Sequence, residues 1–339
     1  MENLKMKKNK DLIGQFAIVI IVFILSAIFV PNFLSLSTLH SMAFQMPELG
    51  LLTLAMFLPI LTGGLNLAIT YTANLAGLLM AVLLMRFTSD ISSTAIIIFI
   101  FMVGFILAMI LGFILGAFTG GFISYIGAHP ILVTLGMMML LRGVGVFLTK
   151  GGDISGLPEV ISWFGHGTIL SIPVPLIIFL VVTFIVHVIL TYTPFGIAVY
   201  MVGSSEPATR YSGVDTKKIF VLLYGFSGLI SAIAGMVMLA RFNSVRAGHG
   251  ESYILITVLA CFLGGVNPYG GFGKTFAVLF ALITLQIITT SLNTLLSPYG
   301  NSQHLASAIW GVFLIGIMIF RQWTGGMNIS RLLYLKTVK

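Results

Sequence analysis

What this sequence lacks most is charge. Only 8% of its 339 residues are Asp, Glu, Lys or Arg, 58% are hydrophobic, and mean hydropathy is +1.10. Soluble domains carry about 25% charged residues. A chain this poor in charge has almost nothing to set against water, so the solvent that suits it is lipid. Cysteine is nearly absent too. Cys261 stands alone in an apolar run, which excludes an intrachain disulfide and reads as a packed core thiol. No His, Cys, Asp or Glu cluster has metal-ligand spacing, and no Ser–His–Asp set or carboxylate pair is suggested. Neither a metal, a bound cofactor nor an enzyme's reactive centre is therefore expected. Cations outnumber anions 17 to 9, but they sit at the ends of apolar runs rather than along one face, so no nucleic-acid partner is expected.

What is present is a succession of long apolar runs. They predict spans at residues 12–30, 38–61, 67–86, 94–120, 130–148, 171–191, 217–240, 253–263, 274–296 and 302–321. The expected fold is an all-α integral membrane protein, a polytopic bundle of about ten transmembrane helices, some broken or re-entrant. The run 253–263 is too short to cross alone and reads as half of a broken helix. The first run is 19 residues long and lacks a small-residue cleavage site, so it reads as an uncleaved helix rather than a signal peptide. One transmembrane domain over 1–321 and a basic tail over 322–339 complete the organisation.

Orientation follows from the cations. Lys5, Lys7, Lys8 and Lys10, then Arg210, Lys217 and Lys218, then Arg321, Arg331, Lys336 and Lys339 form three clusters. Positive charge stays in the cytoplasm, so all three clusters and both termini are expected there. Six spans before the middle cluster and four after it satisfy that arrangement.

Several features invite a choice of reading. Residues 193–218 read TPFGIAVYMVGSSEPATRYSGVDTKK. Ser205 suits an N-cap, Glu206 the positive end of a helix dipole, Pro207 a first turn and Gly213 a stop, which predicts a short helix over 206–212. It is either an ordinary cytoplasmic loop or a helix that docks into a partner's groove. Two glycine-bearing breaks, Gly63-Gly64-Leu65-Asn66-Leu67-Ala68 and Leu263 to Gly273, are either surface loops or irregular backbone lining a cavity. Pro268 to Thr275 mimics a phosphate-binding loop, but Pro268 replaces its first glycine and no strand precedes it, so nucleotide binding is rejected. Gly112, Gly116 and Gly120 share one helical face and predict close helix packing. Glu48, Arg142, Gln45, Gln286, Asn293, His187, and Tyr71 with Asn74 fall inside spans. Ionisable groups there should face the bundle interior and are candidates for solute contact or for structural pairing.

Taken in order along the chain, these residues resemble the ribose/galactose-type permeases of bacterial ABC importers. Gly63 to Ala68 stands where that family has G-G-[IL]-D-L-S. Gly116-Ala117 with Gly120, Pro130 to Gly136, Arg142-Gly143, Thr193 to Gly196, Gly203 to Ala208, Ser212 to Val214, Ala232 to Gly235, and Gly270 to Lys274 follow with matching spacing. The autoinducer-2 permeases are the similar subgroup, through Ile172 to Leu180 and Gly265 to Gly271. The resemblance implies alternating access for a small sugar or sugar-like solute, and a multi-pass location in the bacterial inner membrane. It implies two ATP-binding-cassette domains on another polypeptide, a second permease subunit, and an extracytoplasmic solute-binding protein. ATP would be used by that partner. It makes Ser205, Glu206, Pro207, Ala208, Arg210, Gly213 and Asp215 the coupling segment. Glu48, Gly63, Gly64, Asn66, Tyr71, Asn74 and Arg142 would lie on the translocation path. Asn66 and Ala68 depart from the family's acid and serine, which suits the less typical member of a heterodimer. The rival class, an ion-coupled secondary transporter, would need intramembrane carboxylates, and Glu48 is the one clear candidate.

Overall fold

The computed structural model describes residues 2–88 and 93–296 together with a few positions between 308 and 319; the side chains of 2–13, 159 and 160 are not described. The expected span 302–321 lies largely outside the described residues, as does the basic tail 322–339. The chain forms two compact units, 1–288 and 289–339. All the sites discussed below belong to the first.

Twelve helices run through the described residues: α1 (Glu2–Phe29), α2 (Leu36–Ile60), α3 (Ile69–Thr88), α4 (Thr94–Ile126), α5 (Pro130–Thr149), α6 (Glu159–His166), α7 (Val174–Tyr192), α8 (Pro194–Ser204), α9 (Glu206–Tyr211), α10 (Thr216–Phe242), α11 (Tyr253–Leu263) and α12 (Thr275–Leu296). Among these, α2, α3, α4, α5, α7, α10 and α12 are long and apolar enough to cross a membrane. Two-residue strands form two small antiparallel sheets among the described residues: β1 (Ile154–Ser155) pairs with β4 (Ser244–Val245), and β2 (Thr168–Ile169) with β3 (Ile172–Pro173). The protein is therefore all-α and polytopic.

Local chemistry explains most boundaries. The Ser35 hydroxyl caps α2 by accepting from the Thr38 N–H at 3.2 Å. Pro130 opens α5 and Gly127, at φ 74°, closes α4. Pro47 and Pro59 stand inside α2, where burial on neighbouring helices makes them tolerable.

The bundle has an inside and an outside. Helices α2 and α10 are buried along most of their length, while α4 and α5 turn Phe99, Ile106, Ile114, Phe118, Leu132 and Phe147 outward. Lipid, not water, suits that surface. The most extensive helix pair is α4 on α10. The glycine face predicted from sequence makes it: a Cβ at Gly116 would strike the Tyr224 carbonyl oxygen, and one at Gly112 the Gly228 carbonyl. Side-chain-free glycines let the two backbones touch.

Three elements were not expected from sequence. Residues 194–204 form the separate helix α8, residues 159–166 form α6, and two small strand pairs close the end of the bundle where α10 finishes. Leu170 and Ser171, both at positive φ, make the two-residue turn between β2 and β3.

Candidate functional site

The polar end of the molecule is built from residues 193–218. Thr193 caps α8, accepting from the Gly196 N–H at 3.2 Å. Ser205 leaves the helical path at φ −165° and caps α9 by accepting from the Ala208 N–H at 3.4 Å. Glu206 occupies the first turn, and Pro207 follows where a missing N–H costs nothing. Arg210 lies in the last turn. Gly213, at φ 82°, turns the chain away, a conformation that disfavours any side chain. Asp215 then caps α10, accepting from the Lys218 N–H at 3.2 Å and pairing with the Lys218 ammonium at 3.3 Å. That N–H, then the ammonium, hold the Asp215 carboxyl below the usual aspartate range. The helix expected over 206–212 is observed over Glu206–Tyr211, with Ser212 as its C-cap.

Within α9 only Thr209 is buried; Glu206, Pro207, Ala208, Arg210 and Tyr211 project outward. Tyr211 is 93% exposed. Sequence reasoning passed over this aromatic, whose signal was an aromatic ring in the most polar stretch of an apolar chain. A six-residue helix is unstable alone in water. Caps at both ends and the Thr209 anchor hold this one, and the Thr216 hydroxyl reaches the Glu206 carboxylate at 3.4 Å.

Beneath α9, both glycine breaks meet. Gly203, near the end of α8, lies so close that a Cβ there would strike the Leu61 carbonyl and the Gly271 nitrogen. The Gly271 N–H donates to the Leu61 carbonyl at 2.9 Å. Gly270, at φ 88°, packs on Gly63 and Gly203 together. The Tyr200 hydroxyl donates to the Gly273 carbonyl at 2.8 Å. The tip of the second break, Pro268 and Tyr269, is exposed as a surface loop would be, but its glycines are wedged between α8 and the first break. Asn267 stiffens the loop, its side chain donating to the Gly270 carbonyl at 2.9 Å.

The first break is exposed at Gly63 but buried at Gly64, Asn66 and Ala68. Asn66, 3% exposed, donates to the Ser227 hydroxyl at 3.0 Å and accepts from the Ala68 N–H at 3.1 Å. Ser227 donates onward to the Ala55 carbonyl at 2.7 Å. The Asn66 amide thus ties α2, α3 and α10 together.

Midway along α2, against the last turn of α10, lies a second polar group. Glu48 faces inward as expected, 2% exposed, and is paired with Arg241 at 3.1 Å and with the Tyr253 hydroxyl at 2.8 Å. Arg241 also donates to the Phe44 carbonyl at 3.1 Å. Arg142 does not face the interior: it lies half-exposed on α5 and meets Glu251 at 3.5 Å. The reason is tertiary, because its partner is on the segment between α10 and α11 and outside the packed core. Asn74 donates to both the Ala247 and His249 carbonyls at 2.9 Å, holding that segment against α3. The Tyr71 hydroxyl lies in the field of Glu251 and Arg142. Glu251 and Arg241 were missed from sequence; Glu251 sits in a loop, and Arg241 in the last turn of its helix looks like a boundary charge.

Three further groups inside the spans have protein partners. Gln286 approaches Gln45 at 3.4 Å, the His187 ring lies tilted at 55° to Phe276 with centroids 4.5 Å apart, and Cys261 is buried against the Thr53 carbonyl. Among the described residues, no three His, Cys, Asp or Glu side chains gather where a metal ion could be held.

Comparison with known proteins agrees with this architecture. Residues 38–321 match the family described as branched-chain amino acid transport system, permease component. The chain belongs to that permease family. It is 33% identical to the ribose import permease protein of Bacillus subtilis (strain 168) over 321 residues, 94% of each chain. It is 27% identical to an autoinducer 2 import system permease protein of Yersinia enterocolitica over 279 residues, 80% of each chain. The corresponding protein of Yersinia pseudotuberculosis (serotype O:3) is 25% identical over 279 residues, 80% of this chain and 79% of that one. No solved structure matches.

Proposed function

We propose that this chain is the membrane-spanning permease subunit of a bacterial ABC importer for a small sugar or sugar-like solute, working by alternating access. The observation that carries the mechanism is α9, a short, doubly capped helix that projects its polar and aromatic side chains from an otherwise apolar bundle. Its foot, through Gly203 and Tyr200, rests on both glycine breaks. A push on α9 therefore reaches α2, α3 and α12 without passing through a flexible linker.

In this reading two ATP-binding-cassette domains on another polypeptide bind and hydrolyse ATP, and this chain binds no cofactor. Tyr211 and Arg210 enter a groove on that partner, with Pro207 and Glu206 at the rim. Ser205, Ala208, Gly213 and Asp215 shape and cap the lever. A second permease subunit, identical or related, completes the path, and an extracytoplasmic binding protein delivers the solute. The chain lies in the inner membrane with both termini in the cytoplasm, on the same side as α9. An ion-coupled carrier would need a free carboxylate at depth. Glu48, the candidate, is already neutralised by Arg241 and hydrogen-bonded by Tyr253.

The test is uptake of radiolabelled D-ribose by proteoliposomes holding the purified complex, with ATP inside. Uptake should require ATP and persist when proton and sodium gradients are collapsed. Arg210→Glu should lower it at least tenfold while membrane insertion is unchanged. Uptake that follows an ion gradient, or wild-type uptake by the Arg210→Glu complex, would overturn the proposal.

A further inference from the structure

The Arg142–Glu251 pair stands out against the rest of the bundle. In the seven long helices of the described residues, charged side chains sit within a turn of an end, with two exceptions: Glu48 and Arg142. Glu48 is covered on every side. Arg142 is not: its side chain is 54% exposed and that of Glu251 52%. Arg142 is the thirteenth of the 20 residues of α5, which places it about 10 Å inside that helix's far end at 1.5 Å per residue. Hydrocarbon cannot solvate a half-exposed guanidinium and carboxylate at that depth.

The backbone beside the pair gives an independent sign. Residues 246–252 are not helical. The segment descends along α3, because a Cβ at Gly77 would meet Val245 and one at Gly250 would meet Thr70. It therefore runs beside the first turns of α3, and Val245, just before it, already meets Gly77 about 16 Å from the far end of that helix. Irregular backbone at such depth survives only where protein or an aqueous cavity takes up its polar groups. Asn74 takes two of its carbonyls. The Thr70 hydroxyl is buried without a hydrogen-bond partner among the described residues.

We infer that Arg142 and Glu251, carried by α5 and by the re-entrant segment 246–252, line the aqueous path and contact a neutral polyhydroxyl solute in transit. This rests on the importer reading above and deepens it. The pair carries no net charge, so as a unit it gives no net preference for a cation or an anion. It offers several fixed donors from the guanidinium and two acceptor oxygens from the carboxylate, which is what an array of hydroxyls requires. Asn74 acts as a positioning residue that sets the height of Glu251 through its bonds to the Ala247 and His249 carbonyls. Half-exposed and only 3.5 Å apart, the two groups hold a solute weakly and let it leave.

The test uses the full complex with Cys261 replaced by serine. Glu251→Cys should react with a membrane-impermeant thiol reagent in permeabilised membranes, and millimolar D-ribose should slow that reaction at least threefold. Arg142→Ala and Glu251→Ala should each cut ATP-driven D-ribose uptake at least tenfold at equal membrane content, and the exchanged pair Arg142→Glu with Glu251→Arg should recover part of it. An unlabelled Glu251→Cys would overturn the inference, because the residue would then face lipid or protein. Wild-type uptake by both alanine variants would also overturn it. Absence of ATP-driven uptake in the wild-type complex strikes the importer reading instead, and the labelling result then decides the fate of the pair on its own.

Discussion

Glu48 and Arg241 show how much a single pair decides in a chain with so few charges. Each stands on a different helix, α2 and α10, and Tyr253 brings in a third, α11. Removing one member of a buried pair leaves the other uncompensated, at a cost of about 3–5 kcal/mol, whereas replacing both with apolar residues of similar volume is close to neutral. Glu48→Leu should therefore lower the melting temperature of the detergent-solubilised protein sharply, and Glu48→Leu combined with Arg241→Leu should recover most of the loss. A double variant as unstable as the single one would show that the pair is not the source. The inward direction of Glu48 was legible in the sequence, since an acid ten residues into the apolar run 38–61 has nowhere else to go. Its partner was not, because Arg241 lies 193 positions away and only the packing of α2 on α10 joins them.

Among the elements, the α4–α10 seam tests the glycine pattern most directly. A side chain at Gly116 would drive into the Tyr224 carbonyl, part of the rigid backbone of α10, while Gly121 on the same helix has open space around it. Gly116→Leu should cost more than the about 1–3 kcal/mol typical of overpacking a core, because backbone cannot move aside as a side chain can. Gly121→Leu should leave the melting temperature within a degree or two of wild type. Similar behaviour of the two variants in thermal unfolding would exclude the seam as their point of difference. The close face was visible in sequence because every fourth residue repeats on one side of a helix. The helix α8 was not, since its eleven residues, too few to cross a bilayer, merge with the polar stretch that follows. Nor was it visible that the two glycine breaks, some 200 residues apart, meet at the foot of that helix.

For the whole molecule, the arrangement of ends matters most. Helix α9 lies at the start of α10 and the β1–β4 pair at its finish, so the 27 residues of α10, about 40 Å, separate them. In the proposed orientation, Ser205→Cys in the Cys261→Ser background should react with an impermeant thiol reagent in inside-out vesicles and not in intact cells. Reaction from outside the cell would reverse the orientation and remove α9 from the motor's reach. The sequence by itself determined the solvent, the helical class, most spans and the short capped helix, because hydropathy, capping and glycine spacing are local properties of the chain. Only the tertiary structure decided that Asn66 ties α2 to α10 through Ser227, that Arg142 turns outward to Glu251, and that both breaks meet beneath α9. Those outcomes depend on which distant segment supplies the partner for a buried polar group, and no local pattern carries that information.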